Sequence, residues 1–195
     1  MQLEEDNMNR NDVLKEIKAY LPFNEEESCD KELIYKFIYD NNDAFIRDHK
    51  VAHVTASSWI VNKDKTKVLM VYHNIYNSWS WTGGHADGDE DLLHVALKEA
   101  TEETGINHFK VLNDNKIYSL EVLTVEGHYK KNKYINSHLH LNVTYLLEAN
   151  ENDNLKAKLD ENKDVKWINI NDLKNEVSEE WMYNHIYSKL NNKLK

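Results

Sequence analysis

Three glutamates, Glu99, Glu102 and Glu103, stand at i, i+3 and i+4 in the sequence. On a helix that spacing gathers their carboxylates along one flank. Like charges placed this way weaken a helix slightly. A hard cation would offset the repulsion, because Mg2+ and Mn2+ take oxygen ligands and bridge carboxylates to substrate phosphates. The charges alone would read as a solvated helix face. The residues ahead of them change that reading. The stretch Gly83 to Ile106, GGHADGDEDLLHVALKEATEETGI, opens with paired glycines and a turn rich in Asp and Gly. Leu92, Leu93, Ala96, Leu97 and Ala100 then recur at helical spacing, and Gly105 supplies the residue that commonly ends a helix.

Gly84 is followed after five residues by Glu90, and after seven more by Lys98-Glu99-Ala100-Thr101-Glu102-Glu103-Thr104-Gly105-Ile106. This resembles the Nudix box, in which Gly, five residues, Glu and seven residues lead to Arg-Glu-U-x-Glu-Glu-x-Gly-U, U being a bulky aliphatic residue. Gly84, Glu90, Glu99, Glu102, Glu103, Gly105 and Ile106 match. Lys98 stands in place of Arg, Ala100 is smaller than the usual aliphatic residue, and Thr82 sits where many relatives carry proline.

The resemblance implies an α/β fold, a Nudix-type α/β/α sandwich with a mixed curved sheet. It implies metal-dependent cleavage of a diphosphate linkage in a nucleoside diphosphate derivative. Glu99, Glu102 and Glu103 would hold Mg2+ or Mn2+ with help from the Gly84 carbonyl, and one carboxylate would serve as base. Catalysis would rest on Glu102, Glu103 and an acid from a late loop, for which Asp160 and Glu161 are available and Glu161 is preferred. Glu90 and Lys98 would form an ion pair bracing loop against helix, although lysine lacks the planar fork of arginine.

The elements that must position these residues follow from periodicity. Residues 1–50 read as a helical N-terminal extension, and residues 51–195 as the Nudix domain. Asp12 would cap a helix carrying Val13, Leu14, Ile17, Tyr20 and Leu21, which Pro22 ends. Asp30 would cap a second, with Leu33, Ile34, Phe37 and Ile38 on one face. Both stripes call for burial on the core or on a partner subunit, so a homodimer is one arrangement they allow. Strands are expected at His53–Asn62, Lys67–His73, Ile117–His128, Ile135–Glu148 and Val165–Ile170. A polar loop spans Asn150–Lys163, and a helix through Val177, Trp181, Ile186 and Leu190 closes the chain.

Outside the motif, His138 and His140 alternate with Leu139 and Leu141 and, with Asn142 and Thr144, form a polar strand face. That face is either a wall against substrate or a solvent face with structural histidines. The resemblance, with its hard oxygen ligands, argues against a transition-metal site there. His85 and the lysines at 130, 131 and 133 are candidates to approach a phosphate, and Trp79 to stack on a base, with surface exposure or core packing as the plain alternatives.

The 195 residues carry a net charge of −10, which argues against a general nucleic-acid binder and against RNA decapping. No apolar run is long enough for a membrane span, MQLEEDNMNRND has no signal core, and the single Cys29 fits a reducing compartment. A cytoplasmic enzyme with a small-molecule diphosphate substrate, and no nucleic-acid or membrane partner, is the expectation. The alternative is a Nudix-fold nucleotide sensor or protein-interaction module without turnover, which would have little need of three spaced glutamates. An isoprenyl diphosphate isomerase would call for an active-site cysteine, and Cys29 lies outside the motif-bearing segment.

Overall fold

The computed structural model describes residues 8–195 except 131. The first seven residues of the extension, and Lys131 among the candidate phosphate ligands, lie outside the described residues. Two helices come first, α1 (Arg10–Ala19) and α2 (Glu25–Asp40). Asn9, not Asp12, caps α1: its side chain accepts from the Asn11 N–H, and Asp12 occupies the third helical position, where it accepts from the Asn9 N–H in a capping box. Asn24, not Asp30, caps α2, and Glu25, Glu26 and Glu27 fill its first turn, where the helix dipole favours acids.

Two long strands form the centre, β1 (Ala52–Val61) and β9 (His138–Glu148), which run parallel with Ala52 opposite Leu139 and Val61 opposite Glu148. The remaining pairs of the main sheet are antiparallel, so the sheet is mixed. Its order is β10 (Asn162–Asn169), β2 (Lys67–His73), β1, β9, β5 (Lys110–Val111). Along the outer edge of β1, β4 (Thr82–His85) covers residues 55–58 while β2 takes over at Val61. Along β9, β6 (Ser119–Val125) covers residues 138–144 and β5 covers 147–148. Each central strand thus changes partner midway, and the sheet curls. β3 (Ser78–Ser80) lies against β2. The expected long strands around residues 117–148 are shorter, because their ends fold into a separate hairpin, β7 (His128–Lys130) with β8 (Lys133–Ile135).

Every residue of β1 is buried, as expected for a strand covered on both faces. Its even residues Val54, Ala56 and Ile60 pack toward the motif helix α3 (Leu92–Thr104) and its Ala96 and Ala100, and the Ser58 hydroxyl donates to the Ala96 carbonyl at 3.1 Å. Its odd residues Trp59 and Val61 pack toward the C-terminal segment, where a π-helical stretch at 182–187 runs into α5 (Ser188–Asn192). Val13, Ile17, Ile34 and Ile38 of the first two helices share a buried cluster with Leu141, Val143 and Tyr145 of β9. The centres of the two N-terminal stripes are therefore core, while Leu21 and Leu33 at their margins are exposed. A short helix α4 (Leu173–Glu176) follows β10, and no helix among the described residues is long and apolar enough to cross a membrane.

A chain of buried polar groups ties α2 to α5 through the sheet. Asn142 accepts from the Thr55 and Ser57 hydroxyls and donates to Glu121, which also accepts from Thr144. The Lys189 ammonium lies 3.0 Å from Glu121 and 3.3 Å from Glu27, and Lys193 reaches Glu27 at 3.2 Å. Burial by itself would raise the Glu27 carboxyl, yet Lys189, the Ser119 hydroxyl, the Phe23 N–H and Lys193 outweigh burial and hold it at about 2. A carboxyl depressed in this way contributes stability above its ordinary value of 4.5 and loses that contribution as pH falls toward 2. Glu27→Gln is therefore expected to cost ~3 kcal/mol at neutral pH, since a broken buried pair leaves its partner uncompensated. In urea unfolding curves the gap to the parent should close progressively between pH 4.5 and 2; a gap independent of pH would contradict an ionised Glu27.

Candidate active site

The site forms where β4 passes between β1 and α3. Asp91 caps α3 by accepting from the His94 N–H, and Gly105 ends it in the left-handed conformation at φ 77°. The two glycines of β4 face opposite ways. A Cβ on Gly83 would lie 2.7 Å from the Ala56 carbonyl oxygen and 2.9 Å from the Ser57 Cα, against the backbone of β1. A Cβ on Gly84 would lie 2.5 Å from the Glu99 carboxyl carbon. The Glu99 carboxylate therefore sits directly under the Gly84 backbone, in space that only glycine leaves open.

The three motif glutamates do not share one exposed flank. Glu102 is exposed and Glu99 half-buried, but Glu103 is only 4% exposed. Consecutive helical residues are turned by about 100°, which carries Glu103 toward β4. There its carboxylate accepts from the Gly83 N–H at 2.9 Å and from the Asn162 amide at 2.8 Å. Burial raises its carboxyl to about 7, against the lowering effect of those two donors and with Glu99 and Glu161 adding to the rise. Glu99 is also raised, first by burial and then by Glu102.

Glu161, in the loop before β10, joins this group. The Lys158 ammonium lies 3.1 Å from Glu102 and 3.1 Å from Glu161, joining motif helix and late loop through one positive charge. The loop is anchored at the Lys156 N–H, which donates to the Thr104 carbonyl, and at the Glu161 carbonyl, which accepts from the Asn74 N–H. Lys158 and Asn162 were not singled out from the sequence. Both lie more than fifty residues from the motif glutamates they touch, Glu102 and Glu103, and a polar loop gives no local signal for such a contact.

The expected brace between Glu90 and Lys98 is not formed among the described residues. Lys98, largely exposed, lies 4.0 Å from Glu102, while Glu90 accepts from the Arg10 N–H at 2.9 Å. The first turn of α1 offers an unpaired N–H at the positive end of its dipole, and that donor takes the carboxylate. Trp79 is buried edge-to-face against Tyr72, with the Lys166 ammonium over its ring, so it serves the core. Asn142 and Thr144 belong to the buried polar chain and meet neither solvent nor a cleft. His138 and His140 lie on the sheet face turned away from α3, as does His85, whose partner across β4 is Thr55. The reason was available in the sequence: the apolar stripe of α3 demands the apolar face of the strands, which leaves the histidine face on the other side.

The donor set at the glutamates suits a divalent cation. Glu99, Glu102, Glu103 and Glu161 bring four carboxylates together against the ammonium groups of Lys98 and Lys158, leaving a deficit of positive charge. The Lys158 ammonium between two of them marks a place where positive charge is already stabilised, and all donors are hard oxygens.

A family model described as the NUDIX domain matches residues 51–188. Among solved structures, an Ap4A hydrolase binary complex from C. elegans is 20% identical, the match covering 72% of this chain and 93% of that one at a TM-score of 0.52. A NUDIX-family hydrolase from Clostridium perfringens is 24% identical, covering 73% and 98% at 0.50. The E. coli dihydroneopterin triphosphate pyrophosphohydrolase is 14% identical, covering 70% and 92% at 0.51. At these identities the likeness is one of fold. A search of curated proteins finds no match.

The glycine pair offers a direct test of this geometry. Gly83→Ala drives a methyl group into strand backbone and should lower Tm by several degrees. Gly84→Ala meets only the end of a side chain, so it should unfold at a temperature much nearer the parent's while binding Mn2+ at least tenfold more weakly in calorimetric titration. Equal Tm losses with unchanged Mn2+ binding would show that Glu99 under Gly84 plays no part in holding the ion.

Proposed function

The chain belongs to the Nudix hydrolase family, and from that premise we propose that its glutamate site hydrolyses the diphosphate linkage of a nucleoside diphosphate derivative with Mg2+ or Mn2+. The observation that carries the reading is the convergence of Glu99, Glu102, Glu103 and Glu161 beside the Gly84 backbone.

Glu99, Glu102, Glu103 and the Gly84 carbonyl are the groups that would hold the cation, with Glu161 reaching it from the late loop. When bound, the cation neutralises charge on phosphoryl oxygens and acidifies water. The protein's own residues do the rest. Glu103, with both oxygens engaged by Gly83 and Asn162, fixes the turn that presents Gly84. Glu102 and Glu161 are the most exposed of the four carboxylates, and one of them accepts the proton of the attacking water. Lys158, between them, is placed to follow a substrate phosphate oxygen.

The substrate class spans nucleotide sugars, ADP-ribose-like compounds, dinucleotides and modified nucleoside triphosphates. The structural neighbours named for Ap4A and for dihydroneopterin triphosphate share the fold and do not choose among these. Cytoplasmic action is consistent with the single exposed Cys29. The sensor alternative is disfavoured by the intact acid set.

Two measurements test the proposal. Hydrolysis of a panel of these compounds, read as phosphate or nucleoside monophosphate release, should stop in excess chelator and return with Mg2+ or Mn2+. Glu102→Gln should lower kcat by at least ~100-fold, the usual loss when an electrostatic stabiliser is removed, with Tm nearly unchanged because the side chain is exposed. Glu103→Gln should lose both activity and stability, since its amide would face the Asn162 amide donor. Turnover that persists in chelator, or full activity in Glu102→Gln, would remove the assignment.

A further inference from the structure

On the opposite face of β4 from the glutamates lies a second cluster of chemistry-bearing side chains. Its members are His53 at the start of β1, His85 at the end of β4, and His138 and His140 at the start of β9. Strand register assembles them: His53 stands opposite His140 in the parallel pair, and His85 opposite Thr55 in the antiparallel one. The His53 ring centroid is 5.0 Å from His85, 4.8 Å from His138 and 5.0 Å from His140, and His85 and His140 are 4.9 Å apart. One ring nitrogen from each of His53, His85 and His140 lies within 4.8 Å of the others.

Hydrogen bonding on the outer side of two of these rings fixes where their lone pairs point. The His138 Nδ1 lies 2.8 Å from the Asn136 carbonyl oxygen and the His53 Nδ1 3.4 Å from the His49 carbonyl oxygen. A carbonyl only accepts, so both rings carry their proton on Nδ1 and present an Nε2 lone pair inward. For His53, 4% exposed, that Nε2 is buried with no hydrogen-bond partner. For His138 it accepts from the His140 Nε2–H at 3.3 Å, a proton that would move to the His140 Nδ1 were a metal to take both lone pairs. A buried acceptor left unmatched is costly. An imidazole whose outer nitrogen donates to a backbone carbonyl while its inner lone pair points at other imidazoles is the usual dress of a metal ligand. His140 is kept neutral, its pKa lowered to about 2 by burial and then by His85, His53 and His138, which leaves it ready to ligate and unable to hold charge itself. The Arg47 guanidinium, whose charge acts on both His53 and His140, is closed onto the Asp87 carboxylate in a two-bond ion pair, so its repulsion of a second cation is largely offset.

We propose that His53, His85 and His140, with His138 as fourth ligand, hold one transition-metal ion of the Zn2+ class, at a site separate from the glutamates. Imidazole nitrogen suits zinc, copper, iron or nickel, whereas Mg2+ prefers oxygen. Tetrahedral zinc with bonds of about 2.0–2.1 Å sets its ligand atoms about 3.4 Å apart. The His138–His140 separation of 3.3 Å already meets that spacing, and the nitrogens of His53, His85 and His140, within 4.8 Å of one another, would close by up to about 1.4 Å. This site does not depend on the hydrolase reading. It stands back to back with it, since Gly84 faces Glu99 and the next residue, His85, faces the cluster. An ion here would pin the ends of β1, β4 and β9 together.

The probe is Co2+ alone, added to chelator-stripped, desalted protein and followed by visible absorption. The parent is expected to develop the visible band of four-coordinate cobalt, saturating at one equivalent, collapsing on addition of Zn2+ and unmoved by excess Mg2+. Glu99→Gln should retain the band. His140→Ala should lose it, and His85→Asn should weaken Co2+ binding at least tenfold. His85 is half-exposed, so if His140→Ala fails to fold by circular dichroism, His85→Asn and His138→Gln decide the matter. No band in the parent, a band that survives the histidine substitutions, or one lost in Glu99→Gln would overturn the proposal. Failure of hydrolysis with the cobalt band intact would leave this site standing and remove only the hydrolase reading.

Discussion

The structure turns on the close passage of β4 between β1 and α3. The gap has no room for side chains on either glycine: Gly83 abuts the backbone of β1, and Gly84 lies over the Glu99 carboxylate. The partner strand is built to match, with Ala56, Ser57 and Ser58 where the glycines pass. Ser58 even bridges to the helix at the Ala96 carbonyl, so the strand reaches α3 through a small polar group. From this one contact the rest of the site is positioned. Glu103 receives the Gly83 N–H, Glu99 fills the space under Gly84, and the alternation of β4 then throws His85 to the other face.

Burial separates the motif glutamates into different jobs. A solvated carboxylate is free to exchange partners, and Glu102 has both Lys98 and Lys158 within reach. Glu103 is enclosed, and its two hydrogen bonds do not fully repay desolvation, which is why its carboxyl rises to about 7. A raised buried acid beside other acids is strain that a divalent cation would relieve. The Lys158 ammonium offsets part of the charge on Glu99, Glu102 and Glu161 from the solvent side, at the expense of tying the late loop to the helix.

Much of this was legible in the sequence. The spacing of Gly84, Glu90 and the three glutamates gave the family, and the Val-, Thr- and Trp-rich runs around Lys63-Asp64-Lys65 placed β1 and β2 to within a residue. What escaped depended on choices among near-equals or on distant contacts. The N-terminal caps were misplaced because Asn9, Asn11 and Asp12, or Asn24, Ser28 and Asp30, are all competent caps, and only packing selects one. Glu90 was expected to meet Lys98 and instead meets the Arg10 N–H, because residues 1–50 lie outside the motif and their docking cannot be read from it. His53, at the start of a buried strand, carries no local signal in the sequence. Its significance appears only when parallel register sets it beside His140.

The same backbone thus separates two kinds of electrostatic environment. On the α3 side, carboxylates crowd together with an ammonium between two of them, and the surroundings favour hard positive charge. On the far side, imidazoles crowd together, burial and mutual repulsion keep at least His53 and His140 below their ordinary values, and the surroundings favour an electron-pair acceptor. In each set one member is left strained by the protein's own groups. Glu103 remains raised despite two donors, and the His53 Nε2 remains without one. Because hard oxygen and borderline nitrogen donors prefer different ions, the two faces of β4 would not compete for one metal. Whatever fixes the histidine face also fixes Gly84, one residue away, and with it the close approach of the β4 backbone to the Glu99 carboxylate.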